Sequence, residues 1–175
     1  MDDRSVVEVQ IGRPPRSSVD VVARCHLGLP VAIVVPPLLD DGTPFPTLYW
    51  LTCPLAARRI GRIEAAGGVR QAERMIDADT DLAAEHTAAM ERYAATRDEM
   101  IPPDYAGHRP TGGVGGTGAG VKCLHAHYAD TAAGNRNPVG QWTADQIEPL
   151  DCRCACIVET GEGTVGHNPE WVEPR

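Results

Sequence analysis

Three short apolar runs crowd into residues 18–54 with only turn-length connections between them. They are Val19, Val21 and Val22; then Val31, Ile33, Val34 and Val35; then Leu48, Tyr49, Trp50 and Leu51. β-Branched and aromatic residues in runs of this length read as strands. Gly28-Leu29-Pro30 and Asp40-Asp41-Gly42-Thr43-Pro44 supply the turns. A parallel crossover needs a dozen or more linking residues, so this spacing predicts an antiparallel meander.

At Thr52-Cys53-Pro54 the apolar period changes. Pro54 suits the first position of a helix, and Ala56, Ile60 and Ile63 follow at i, i+4 and i+7. Gly67-Gly68 closes that helix, a second covers about 69–78, and a third runs from Thr80 to Met100 before Ile101-Pro102-Pro103 stops it. Residues 105–120 read as a Gly-rich linker. A short helix follows from Val121 to Ala133 with Gly134 as its stop, Asn137-Pro138-Val139-Gly140 reads as a turn, and 143–150 as one more helix. Past Val158 apolar residues are sparse, which predicts a disordered acidic tail over 157–175. The expected fold is α+β: one domain over 1–156, with the small meander packed against several helices.

Composition narrows the function classes. The net charge is −8, and residues 145–175, with seven acids and two arginines, hold −5 of it. That balance argues against nucleic acid and anionic membranes, which call for a Lys/Arg excess. No apolar run reaches the roughly 18 residues of a membrane span, and Met-Asp-Asp-Arg does not resemble a signal peptide. A cytoplasmic location follows, where thiols stay reduced, so the six cysteines read as ligands, nucleophiles or small core residues before disulfides.

The chemistry concentrates in Cys123-Leu124-His125-Ala126-His127. Thiolate and neutral imidazole are the preferred ligands of a zinc-type ion. On a helix Cys123 and His127 would share a face and His125 would point away. Cys53, just before Pro54, gains thiolate stability at a helix N-terminus. Cys152-Arg-Cys154-Ala-Cys156 would align its thiols if it were a strand. Two other patterns fail. Gly113-Val-Gly115-Gly-Thr-Gly118 fits G-x-G-x-x-G, but no strand precedes it, and Val121 separates Gly120 from Lys122 where a phosphate loop would not. In His125-Ala-His127-Tyr-Ala-Asp130 the Asp falls one position late for a binuclear hydrolase motif.

Ile11-Gly-Arg-Pro-Pro-Arg16, Ala23-Arg-Cys25, the run from Asp41 through Pro-Phe-Pro-Thr-Leu-Tyr-Trp to Pro54, Gly61-Arg-Ile-Glu64, Val121-Lys-Cys-Leu-His125 and Asn137-Pro-Val-Gly140 together resemble the DUF501 family. The resemblance covers about residues 10–153 and implies an actinobacterial cytosolic protein with no established activity. It also implies genes neighbouring those for a septum-formation protein, an exopolyphosphatase or enolase. Cys25, Cys53, Cys123 and His125 fall on its motifs, with Cys152 on a C-terminal family Cys, whereas His127 and Asp130 depart from it. On that basis Cys25, Cys53 and Cys123 are expected to converge on zinc, with His125 or Cys152 as the fourth ligand. A closed site would make the chain a structural or accessory metalloprotein with a protein partner. An open site would make it a metal- or thiol-dependent hydrolase, and a Cys-only set could hold an iron–sulfur cluster.

Overall fold

The computed structural model describes residues 1–161 and 163–174. The expected meander is present: β1 (Asp20–Arg24), β2 (Pro30–Val34) and β3 (Tyr49–Leu51) pair antiparallel in chain order. Register is set by pairs such as Val21 with Ile33 and Ile33 with Trp50. β2 is the central strand, and four of its five residues are buried, as its unbroken apolar run requires.

Four helices follow much as their periodicity indicates: α2 (Pro54–Ala65), α3 (Gly68–Asp77), α4 (Thr80–Glu99) and α5 (Leu124–Ala132). Asp79 caps α4 by accepting from the Asp81 and Leu82 N–H groups. Tyr93 of α4 is fully buried, and its hydroxyl accepts from Leu48 N (2.6 Å) and Tyr49 N (3.3 Å), which ties the helix to the entry of β3. Ahead of the sheet lies a helix that the apolar pattern does not announce. α1 (Asp3–Ile11) is capped by Asp2, ends at Gly12 with φ +69°, and buries Val6 and Val7.

Two expectations between α4 and the C-terminal segment are corrected. Asn137-Pro138-Val139-Gly140 is the start of α6 (Pro138–Ile147) rather than a turn. The Asn137 side chain accepts from Gly140 N, Pro138 occupies the first turn, and the helix ends at Ile147. Gly140 is needed there: a Cβ would lie 2.1 Å from Thr131 Oγ1 and 2.2 Å from the His127 carbonyl. The Gly-rich linker is also packed. Its 3-10 turn at Val114–Gly116 buries Val114 against Leu48, Met90 and Tyr93, and Arg97 Nη1 donates to the Gly112 carbonyl at 2.6 Å.

The C-terminal segment is not a disordered tail. β4 (Ile157–Gly161) and β5 (Thr164–His167) form an antiparallel hairpin beside α1, with Ile157 fully buried among Val6, Leu29 and Cys156. Beyond it, Trp171 packs on the main core, Arg58 stacks over its indole at 5.1 Å, and Glu173 pairs with Arg62. Arg59 donates to the carbonyls of Ile147 (2.5 Å) and Pro149 (2.7 Å) and to Asp151 (3.0 Å). Few apolar residues serve here because Ile157 is buried and Val165 and Trp171 pack against the clusters beside it, while Asp151 and Glu173 meet arginines of α2. Among the described residues no helix is long and apolar enough to cross a membrane.

Candidate metal centre

Cys123 is the residue just before α5, with an extended backbone (φ −156°, ψ 119°), so helical face geometry does not apply to it. Its side chain therefore meets that of His125 instead of pointing away: Sγ lies 3.7 Å from His125 Nδ1. The other ring nitrogen, Nε2, lies 3.1 Å from the Ala57 carbonyl in α2. A carbonyl only accepts, so Nε2 carries a proton, and Nδ1 is the nitrogen that faces Cys123 and would give up its own proton to bind a metal ion. Glu64, at the last turn of α2, places Oε1 3.3 Å from the same Nδ1. That oxygen also accepts from Leu124 N at 2.6 Å, which anchors the carboxylate to the first turn of α5.

One donor atom each from Glu64, Cys123 and His125 thus lies within 4.8 Å of the others. The hydrogen bond with Cys123 pushes His125 up to about 9, and the charge of Glu64 adds to it against the opposing effect of burial. Cys123 and His125 also line an open groove of about 400 Å³ with Tyr49, Trp50 and Leu51 of β3 on one wall and Lys122 at its edge. Its lining is mostly apolar.

The expected ligand set divides. Cys123 and His125 come together, with Glu64 as the residue that sequence reasoning passed over. Glu64 ends the quoted Gly61-Arg-Ile-Glu64 motif, and that was the available signal. Cys25, Cys53 and Cys152 gather elsewhere: Cys53 is buried in the main core with Cys25 and Cys152 packed around it. Of the Cys152-Arg-Cys154-Ala-Cys156 run, no part is a strand until Ile157, so its thiols do not share a face. Cys154 Sγ turns to the Glu170 carbonyl at 3.8 Å, while Cys156 is buried in the cluster beside α1.

His127 and Asp130 belong to a buried polar network between α4, α5 and α6. His127 Nδ1 lies 3.1 Å from Asn137 Oδ1, and its ring stacks near that of His86 at 5.6 Å between centroids. Asp130 Oδ2 accepts from Arg92 (2.6 Å) and from Asn137 Nδ2 (2.9 Å). Burial holds His127 down at about 4, so it is neutral, and it takes no part in the Glu64–Cys123–His125 set.

The family model described as "Protein of unknown function (DUF501)" matches residues 21–145. A search of curated proteins and a search of solved structures each found no match. The matched span contains both strand-end cysteines, Glu64, Cys123 and His125, and covers well over half the chain: this protein belongs to the DUF501 family.

Proposed function

We propose that this chain is a cytoplasmic zinc-dependent hydrolase whose ion is held by Glu64, Cys123 and His125. The observation that carries the reading is the convergence of a thiol and a carboxylate on one imidazole nitrogen while the other donates to a backbone carbonyl. Ligating histidines are held in this way, with the far N–H fixed by an acceptor. Sulfur, nitrogen and oxygen donors on one point suit zinc. Three protein ligands would leave a fourth position for water, whose pKa zinc would lower towards neutrality, and the groove beside β3 would give a substrate access to it. An aromatic or acyl portion would lie along Tyr49 and Leu51, with an anionic group towards Lys122. The net charge of −8 leaves nucleic acid outside this reading.

The test is calorimetric zinc titration of the untagged, reduced protein, with a screen of aryl esters, amides and phosphoesters. Zinc-dependent turnover that disappears in Glu64→Gln and His125→Ala supports the reading. Turnover that persists in the chelated protein contradicts it.

A second reading rests on the same 3.7 Å contact. Cys123 at the start of α5, beside a basic imidazole, is placed as a nucleophile with His125 as its base. In a relay triad, however, the acid holds the nitrogen opposite the nucleophile. Here Glu64 and Cys123 address the same one. Rapid alkylation of Cys123 that zinc does not slow would favour the thiol over the metal.

A further inference from the structure

Four other thiols gather at a second place. Cys25 follows β1, Cys53 immediately precedes α2, and Cys152 and Cys156 lie just ahead of the C-terminal hairpin. Cys53 sits in the main core with Cys25 and Cys152 packed against it, and Cys156 sits in the adjoining cluster, which Cys25 also touches. All four are free thiols.

Ordinary core packing would account for one or two small buried cysteines. It does not account for four of them, from three separate stretches of the chain, meeting in adjoining clusters, one with a polar donor aimed at its sulfur. The Trp171 indole N–H donates to Cys152 Sγ at 3.3 Å. Cys53 stands at the N-terminus of α2 without a side-chain cap bond, so its thiol is not committed to the helix N–H groups. Cys25 opens a tight turn, with Gly28 N bonded to its carbonyl at 2.9 Å and its own N bonded to Leu29 O at 3.0 Å. Donors to sulfur stabilise thiolate, which is the form that binds metal.

We propose that Cys25, Cys53, Cys152 and Cys156 form a second, closed site that takes one zinc ion through four thiolates. Each thiol releases its proton to solvent as its Zn–S bond forms, and nothing is oxidised or reduced. Among the described residues no three of these thiols lie mutually within 4.8 Å. The ion therefore draws them inward to the ~2.3 Å bonds of a tetrahedral site. Its effect is to fasten the C-terminal hairpin and strap onto β1 and α2. Cys154 stays outside the set.

The test uses the full-length, untagged, reduced chain, stripped with chelator and titrated with cobalt(II) and then zinc. The expected result is a cobalt spectrum with the intense sulfur-to-metal charge transfer of four thiolates. One zinc equivalent should be lost in Cys25→Ser and in Cys156→Ser, and none in Cys154→Ser. Loss of that equivalent does not depend on the centre at Glu64, since Glu64→Gln removes a different one. Zinc content unchanged by Cys25→Ser and Cys156→Ser overturns the proposal, as does iron with acid-labile sulfide, or disulfides among these residues. Should the serine variants fail to fold, the wild-type cobalt spectrum decides: charge transfer of one thiolate or none overturns the site.

Discussion

His125 commits its Nε2 proton to the Ala57 carbonyl, so anything the ring does for a ligand passes through Nδ1, where Glu64 and Cys123 already meet it. Glu64→Gln keeps the shape and the bond from Leu124 N but removes the charge. Even partners one step removed from a metal contribute 10- to 100-fold to its affinity, so zinc affinity should fall by more than about tenfold, read by competition with a chromophoric chelator. Tyr93→Phe makes the complementary stability test. It leaves the Leu48 and Tyr49 N–H groups without their acceptor and should cost about 1–3 kcal/mol in urea unfolding, with the slope unchanged. At this scale the meeting of Cys123 and His125 was legible because soft and imidazole donors so close together in sequence are unusual. Glu64 was not, because an acid on the polar side of an amphipathic helix looks like any solvated acid until the neighbouring helix is placed.

At the scale of elements, α6 shows how one segment serves two readings. Asn, Pro and Gly mark turns, yet Asn before Pro is also a helix start, and Gly140 is there for close approach to α5. Asn137→Ala removes the cap and the partners of His127 and Asp130 together. It should cost about 2 kcal/mol or more, the upper end for a cap, and melt α6 first in hydrogen exchange. Gly140→Ala should lower the thermal midpoint as well, because the clash is with backbone and cannot be relieved by a rotamer. The meander and α2–α5 followed from periodicity, since each buries one regular face. α1 did not, because Val6 and Val7 are adjacent and its partner, the hairpin, lies at the other end of the chain.

For the whole molecule, the C-terminal segment is the largest revision. Its composition resembles disorder, but Ile157, Val165 and Trp171 are all used in packing, and Glu173 and Asp151 meet arginines of α2. Ending the chain after Cys156 should expose Val6 and Leu29, lower the denaturation midpoint by several degrees and raise binding of hydrophobic dyes. An unchanged midpoint would mean that the segment does not pack in solution. The central claim, a zinc ion on Glu64, Cys123 and His125, is tested most directly by metal content. The untagged wild type and the Glu64→Gln, His125→Ala double variant, equilibrated with zinc and desalted, are compared by elemental analysis. The account predicts that the folded double variant holds one zinc equivalent fewer per chain than the wild type. Equal zinc in the two proteins would contradict it.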